Sequence, residues 1–218
     1  MSKFKAHQKY YTKDGVLVKG VTTILQVLNK PFLLAWANKL GLEGIKMSDY
    51  VDNLADIGTL AHSIVEARLT KTEVDYSDYS PNQRKLAEVS AAKFFDWQTK
   101  NKFEVIKCEL QMVSDIHLFG GTIDIYCMLN DKKTLIDLKT SKAIYPEHFI
   151  QTSAYRILLE ENGYPVEECR ILRIGRSVEE GFEEVVVPNT EIYGRKFLKC
   201  VEIIQIDNEL KINRTDKP

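Results

Sequence analysis

Residues 134–142 read "TLIDLKTSK", a stretch with the composition of a β-strand that carries charge on one face. Apolar Leu135, Ile136 and Leu138 follow a polar run at 130–133, which is typical of a strand after a turn. Because side chains alternate along a strand, Asp137 and Lys139 share one face, with their bases roughly 6–7 Å apart. Taken alone, this pattern also fits an edge strand with solvated charges, so the surrounding sequence has to decide.

The composition is that of a globular protein. The chain has 218 residues, of which 44% are hydrophobic and 28% charged, and we predict a single domain, 1–218. No stretch approaches the roughly 18–20 apolar residues of a membrane span. The opening, "MSKFKAHQKYYTKDG", lacks the apolar centre of a secretory signal. We therefore expect a cytoplasmic protein with no membrane partner.

The net charge and the spacing of the cysteines argue against further classes of protein. A formal net charge of −1 argues against a surface that binds polyanions over its whole extent, although it leaves room for a local basic groove. The four cysteines form no C-x-x-C pair, so neither a zinc ribbon nor an iron–sulfur cluster is expected; they are Cys108, Cys127, Cys169 and Cys200.

The order of the predicted elements indicates a mixed α/β fold. Segment 20–100 reads as helical, with helices over 21–28, 31–41, 48–68 and 81–100. Segment 101–205 reads as an α/β core that begins with a three-stranded meander at 103–113, 122–129 and 134–140. A helix at 146–162, a strand pair at 168–174 and 183–188, and a helix at 191–205 follow. We expect a mixed central sheet flanked by helices.

A second carboxylate lies in the middle strand of the meander. Asp124 shares a strand face with Thr122 and Tyr126. Neighbouring antiparallel strands bring facing residues to about 4.5–5.5 Å, so Asp124 can lie beside Asp137 if the turn sets that register. Two carboxylates that close repel unless a proton or cation separates them, and Mg²⁺ meets that need. Lys139 could then position water or counter charge on a phosphate oxygen.

Four motifs now combine into a resemblance. Gly121-x-x-Asp124 followed by Asp137-Leu138-Lys139 resembles the signature of the PD-(D/E)XK nucleases. Upstream, "GTLAHSIVEARL" at 58–69 is similar to the helical G-x-x-x-H motif of the subgroup that contains RecB-like nuclease domains, phage-encoded exonucleases and the mitochondrial genome-maintenance exonuclease. Downstream, "QTSAY" at 151–155 is similar to the Q-x-x-x-Y motif of that subgroup.

The resemblance implies a restriction-endonuclease-like core with the N-terminal helical segment over the site. It implies metal ligation of Mg²⁺ or Mn²⁺ by His62, Asp124, Asp137 and the backbone carbonyl of Leu138. It makes Lys139 the catalytic lysine, and it implies that Gln151 and Tyr155 orient the lysine or the DNA backbone. The chain departs from the family in having Ile123 where a proline names the superfamily, and in lacking the flanking cysteines with which some relatives bind an iron–sulfur cluster.

Several residues keep an alternative interpretation. His62 could be a core histidine, Glu66 could bind a second metal or lie on the surface, and Glu109 could complete the acidic cluster if the register allows. Gln151 and Tyr155 could form an ordinary helix face. Trp36 and Trp97 are predicted to be core residues, and Tyr145 and Tyr155 are candidates for stacking on unpaired bases.

The resemblance implies a metal-dependent deoxyribonuclease of a bacterium or phage. We expect an exonuclease acting on free or single-stranded DNA ends in recombination, repair or phage DNA processing. A homo-oligomer or a recombination partner protein would fit this role. The alternatives are a structure-specific endonuclease and a catalytically silent DNA-binding protein of nuclease fold.

Overall fold

The computed structural model describes residues 8–28 and 30–215, and helices account for nearly half of them. The helices are α1 (Val21–Ile24), α2 (Phe32–Leu42), α3 (Met47–Thr70), α4 (Pro81–Thr99), α5 (Pro146–Glu161) and α6 (Thr190–Thr215), with a 3₁₀ turn at Leu25–Val27. The strands are β1 (Tyr10–Tyr11), β2 (Leu17–Gly20), β3 (Phe103–Ser114), β4 (Phe119–Leu129), β5 (Lys132–Lys139), β6 (Glu168–Ile174) and β7 (Phe182–Val186).

The strands form one mixed sheet. Strands β3, β4 and β5 make the predicted antiparallel meander, and β6 pairs antiparallel with β7. Strand β5 runs parallel to β6, and α5 forms the crossover between them. The predicted mixed α/β architecture with a central sheet flanked by helices is confirmed, and it is consistent with a restriction-endonuclease-like core.

Local sequence explains where two of these elements begin. The backbone N–H of Ser80 donates to Gln83 Oε1 at 2.8 Å, and the Gln83 N–H donates to Ser80 Oγ at 3.3 Å, so a capping box starts α4 at Pro81. Asn130 and Asp131 both have positive φ, 49° and 67°, which gives the tight turn that sets the β4–β5 register.

One edge of β4 is shared by two strands, and a gap separates them. Strand β3 occupies the opposite edge along the whole of β4. On the shared edge, β2 pairs in parallel with Phe119 and Gly120, and β5 pairs antiparallel from Ile125 onward. Within the described chain, residues 121–124 therefore have no strand partner on this edge, and side chains there can face an opening in the sheet.

Helices cover both faces of the sheet. One face packs against the last two helices, in a core that includes Tyr126, Leu135, Leu158 and Phe197. The other face packs against α3 and α4, in a core that includes Ile125, Ile136, Val65 and Phe94. The two strand faces therefore alternate as a pleated strand requires. Among the described helices, none has both the length and the apolar character needed to cross a bilayer.

The structure differs from the predicted elements at both ends of the chain. No strand was predicted before residue 101, but β1 and β2 form a hairpin that extends the sheet. These strands have two and four residues, which is too short for a periodic pattern to be recognised. The last helix was predicted to end at 205, and it continues to Thr215.

Candidate active site

Asp124 occupies the last position of the gap in β4, directly before the residues that pair with β5. The register of that ladder places Asp124 opposite Asp137. The ladder stops at this point, and Asp124 Oδ2 accepts a hydrogen bond from the backbone N–H of Leu138 at 2.7 Å. One carboxylate oxygen of Asp124 therefore continues the strand pairing, while Oδ1 is left to face α3.

Asp137 is fully buried beside Lys139. Lys139 Nζ donates to Asp137 Oδ1 at 2.9 Å and lies 2.8 Å from Oδ2. The geometry at Oδ2 is not that of a hydrogen bond, so this buried oxygen has no hydrogen-bond donor among the described residues. Burial raises the pKa of Asp137 to about 6, although the Lys139 charge acts in the opposite direction. A further cation at this position would be stabilising.

His62 reaches the site from α3, which passes close to the end of β5. A Cβ added to Gly58 would lie 2.8 Å from Thr140 Oγ1, so glycine permits this approach without a shift of either partner. His62 Nδ1 lies 3.5 Å from Asp124 Oδ1, and the imidazole is 27% exposed. Burial disfavours the imidazolium, but the Asp124 carboxylate outweighs burial and raises the pKa of His62. His62 therefore lines the site beside a carboxylate and is not enclosed in the apolar core.

The carboxyl of Glu109 joins this group because β3 contains a one-residue bulge. The β3–β4 register shifts between Val105 and Lys107, which leaves Ile106 as the extra residue. After the shift, Glu109 lies opposite Asp124, and the two side chains share a face. The sequence left the place of Glu109 open because it does not show this register.

The backbone at Glu109 has an unusual conformation. Its φ is 45°, in the left-handed region that glycine adopts easily and glutamate rarely. Such a backbone costs on the order of 1–3 kcal/mol and tends to occur at functional sites. The strain is a second indication that the position of this carboxylate matters.

The donor set suits a hard divalent cation. His62, Glu109 and Asp124 each offer one ligand atom, and these atoms lie within 4.8 Å of one another. Ligands of octahedral Mg²⁺ sit about 2.0–2.1 Å from the ion, so neighbouring ligands are about 2.9 Å apart and opposite ones about 4.2 Å apart, and the three side chains would have to move closer together around one ion. Carboxylate oxygens with one imidazole suit Mg²⁺ or Mn²⁺.

Gln151 and Tyr155 lie on α5 and close the gap from the other face of the sheet. Gln151 Nε2 donates to the Tyr155 hydroxyl at 2.8 Å. A Cβ on Gly121 would lie 2.7 Å from Tyr155 Cε1, so the ring packs directly over the unpaired part of β4. Burial, followed by the negative charges of Asp137 and Asp124, raises the pKa of Tyr155 well above its usual value. The phenol is therefore neutral and faces the carboxylates.

Two predictions about aromatic side chains are wrong. Tyr155 is only 6% exposed, so its ring cannot stack on an unpaired base. Trp97 is buried as predicted, but Trp36 is partly exposed and lines a cleft together with Tyr145. The aromatic pattern in the sequence could not separate rings that face the core from rings that face an opening between elements.

Two further candidate carboxylates of the described chain, Asp137 and Glu66, contribute no atom to this group, and the Leu138 carbonyl is a third candidate. Glu66 follows His62 by one turn, yet among the described residues it contributes no atom to the set of close ligand atoms. It lies near Cys108 instead, where burial raises the pKa of the thiol to about 12 and the Glu66 charge adds to the effect. The N–H of Leu138 is used by Asp124, and metal ligation by its carbonyl stays a prediction.

Comparison with known proteins supports the architecture. No family model and no curated protein sequence matches the chain. The chain is similar in structure to a provisionally assigned exonuclease from Eubacterium rectale, with 15% identity, a TM-score of 0.54, and coverage of 76% of this chain and 69% of that one. At this identity the likeness establishes the fold alone.

Two more solved structures are similar to the chain at lower TM-scores. One is the alkaline exonuclease LHK-Exo of Laribacter hongkongensis in complex with dAMP, with 14% identity, a TM-score of 0.43, and coverage of 75% and 88% of the two chains. The other is SSO0001, with 14% identity, a TM-score of 0.38, and coverage of 79% and 84%.

Proposed function

We propose that this chain is a metal-dependent deoxyribonuclease that hydrolyses phosphodiester bonds, and that it acts as an exonuclease. The observation that carries the proposal is the convergence of Asp124, Asp137 and Lys139 at a gap in the sheet, with His62 3.5 Å from Asp124. Buried carboxylates in a cluster are costly, and no packing role requires them. A catalytically silent DNA-binding protein would gain nothing from this arrangement.

The cation would be Mg²⁺ or Mn²⁺, held by His62, Glu109, Asp124 and Asp137. Ligation by the Leu138 carbonyl is carried over from the family resemblance. When bound, such an ion polarises a phosphoryl oxygen and lowers the pKa of a bound water molecule. The buried Asp137 Oδ2, which has no hydrogen-bond donor in the described chain, supports the assignment of a cation to this place.

Lys139 would hold the attacking water and counter the charge that develops on the phosphate. Its side chain is 15% exposed, so the ammonium can be reached from the cleft while most of its surroundings exclude water. Electrostatic stabilisation by a fixed charge is larger in such an environment than in bulk solvent. Loss of a preorganised group of this kind costs about 3–4 kcal/mol of transition-state stabilisation.

Gln151 and Tyr155 would act as positioning residues. The Tyr155 oxygen accepts from Gln151, so its own proton remains available for a second partner. That partner would be a carboxylate of the site or an oxygen of the DNA backbone. The amide–phenol pair therefore fixes the orientation of groups around Lys139 without taking part in bond breaking.

The path of α3 favours a flexible substrate. This helix touches the end of β5 at Gly58 and reaches Asp124 at His62, so it lies across the opening. A covered site admits a single strand more easily than a duplex, whose persistence length is about 150 bp. We therefore propose degradation from free or single-stranded ends, as recombination, repair or phage DNA processing would require.

The deciding experiment compares linear and closed circular DNA, single- and double-stranded, with Mg²⁺ or with EDTA. We expect linear single strands to shorten progressively with Mg²⁺, and neither EDTA samples nor the Lys139→Ala variant to show products. Cutting of closed single-stranded circles at the rate of linear strands would establish the structure-specific endonuclease instead. DNA binding without cleavage in Mg²⁺ or Mn²⁺ would establish the silent DNA-binding protein.

A further inference from the structure

A cleft of about 490 Å³ opens next to the proposed site, between the N-terminal helices and the loop that follows β5. Helices α2 and α3 form one wall, with Trp36 and Tyr50, and Tyr145 before α5 forms another. Ser141 and Lys142, which line its floor, follow Lys139 by two and three residues. Three residues span at most about 10 Å, so the cleft begins close to the catalytic lysine.

Three aromatic rings line this cleft and are partly accessible from it. The Trp36 and Tyr50 rings meet edge to face, with centroids 6.0 Å apart and planes at 66°. Both rings are partly exposed, as is Tyr145. Aromatic faces that border a cleft can receive another flat ring, and base–aromatic stacking of this kind tolerates any base.

The charge in the cleft favours an anion. Lys30, Lys142 and Arg176 line it, against a single acidic lining residue, Glu147. Lys30 is neutralised by Glu147 at 2.7 Å, and Arg176 is held by Glu180 at 3.3 Å. Lys142 is exposed and forms no ion pair with any described residue. One cation thus remains available for a phosphate beside the rings.

We infer that this cleft binds one unpaired nucleotide of the DNA strand next to the phosphate that is cut. The base lies against the Trp36, Tyr50 and Tyr145 rings, and the adjoining phosphate binds Lys142. The volume falls in the range of about 300–1,000 Å³ that small-molecule sites occupy. The inference rests on the proposed nuclease function and adds to it a subsite that selects unpaired strands, because a paired base cannot enter.

Tryptophan fluorescence tests the base contact directly. The chain has two tryptophans, and Trp97 is 5% exposed in a core of aromatic rings, so a ligand in the cleft would change the emission of Trp36 alone. Wild-type protein in EDTA, which prevents cleavage, is titrated with a short oligothymidylate. We expect saturable quenching, and we expect Trp36→Phe to lose the quenching while it keeps most of the affinity measured by anisotropy of a labelled strand.

Affinities of matched variants complete the test. Trp36→Ala should weaken oligothymidylate binding roughly tenfold or more, since stacking on an aromatic side chain contributes strongly per base. Leu34→Ala, on the same helix and 79% exposed, should bind like wild type. Equal affinity of Trp36→Ala and Leu34→Ala, or binding by wild type without quenching, would overturn the inference.

The contact between Lys142 and the phosphate is tested separately, by the salt dependence of DNA binding. This test substitutes only exposed side chains. Lys142→Ala should lower the slope of log affinity against log salt by about 0.7, the value for one phosphate contact on a single strand. Lys132→Ala, at the start of β5 and about 23 Å from Lys139 along the strand, should leave the slope unchanged. If wild type cuts linear DNA but Lys142→Ala and Lys132→Ala have the same slope, the cleft assignment is wrong and the proposed nuclease function stands. If wild type neither cuts nor binds DNA, the proposed function fails first.

Discussion

The Asp124 side chain accepts the backbone N–H of Leu138 at 2.7 Å, at the point where the ladder between their strands ends. A carboxylate of the proposed site thus performs a structural task that a backbone carbonyl performs elsewhere in the sheet. The same side chain lies 3.5 Å from His62 through its other oxygen. Fold and site are therefore coupled at Asp124, and its two oxygens can be tested separately.

Two substitutions at Asp124 separate these tasks. Asp124→Asn keeps an oxygen that can accept from Leu138 but removes the charge, so the free energy of unfolding should stay near wild type while Mn²⁺ binding is lost. Asp124→Ala also leaves the Leu138 N–H without its partner, and it should cost a further 1–3 kcal/mol or so of stability. Urea unfolding and calorimetric Mn²⁺ titration measure the two effects. Equal stability of both variants would contradict the structural role.

The Asp137–Lys139 pair should behave as a buried ion pair. Lys139→Met leaves the Asp137 charge without compensation, which should cost about 3–5 kcal/mol of unfolding free energy at pH 8. Burial already raises the pKa of Asp137 to about 6, so the loss should shrink as the pH falls and Asp137 becomes protonated.

The double variant Asp137→Asn/Lys139→Met is the control for this pair. It removes both charges and should recover most of the stability at pH 8, while hydrolysis stays absent. Denaturant unfolding at pH 5.5 and pH 8 gives the comparison. A double variant as unstable as Lys139→Met would show that the loss comes from packing and not from an unpaired charge.

His62 should contribute to metal binding more than to folding. The side chain is partly exposed and contacts Asp124, so His62→Ala should change the melting temperature little in the absence of metal. Its affinity for Mn²⁺ should fall, because an imidazole ligand suits Mn²⁺ better than Mg²⁺, and activity in Mg²⁺ should also be lost with this ligand of the proposed site. Differential scanning fluorimetry with and without Mn²⁺ measures this. A large drop in melting temperature without metal would indicate a core histidine.

Glu109 and Glu66 are two acidic residues near the site, and only Glu109 belongs to the group of close ligand atoms in the described chain. Substitution of Glu66 is therefore the control for substitution of Glu109. Asparagine adopts the left-handed conformation more readily than glutamate, so Glu109→Asn should keep or raise stability while it weakens Mn²⁺ binding roughly tenfold. Glu66→Gln removes a charge outside the ligand group and should bind Mn²⁺ like wild type. Calorimetric Mn²⁺ titration of both variants tests this expectation. A larger loss of Mn²⁺ affinity in Glu66→Gln than in Glu109→Asn would place the site one turn further along α3.

His148 predicts a dependence of stability on pH. It is 9% exposed, its Nδ1 accepts the Tyr145 N–H at 3.2 Å, and burial followed by the Lys139 charge lowers its pKa to about 3. Because the folded protein keeps this histidine neutral, the stability it contributes is complete above the unfolded pKa of about 6.5 and is lost as the pH falls toward 3.

The expected size of this effect is about 2 kcal/mol between pH 7.5 and pH 5. The His148→Asn variant should lack this component, so the difference in unfolding free energy between the two proteins should change by that amount over the same interval. Urea unfolding at the two pH values measures the change. Parallel pH profiles of both proteins would show that His148 titrates normally.

The sequence by itself determined the features that depend on neighbouring residues. Alternation of side chains placed Asp137 and Lys139 on one strand face, and the structure has their side chains in contact. The Ser80-Pro81 cap started α4 where it was predicted. The separation of Gln151 and Tyr155 by four residues predicted that they share a helix face, and they are hydrogen-bonded. Local geometry is enough for each of these.

Only the tertiary structure decided which long-range neighbours meet. The bulge at Ile106 brings Glu109 to Asp124; without it, Cys108 would take that position. A bulge depends on how two distant strands pair, and its sequence has no distinguishing composition. Tyr155 was expected at the entrance of the site and is buried, whereas Trp36 was expected in the core and is partly exposed. Burial of a ring is set by the distant elements that pack over it. The short strand β2, which leaves the gap beside Asp124, is defined by its parallel pairing with β4 and not by its four residues.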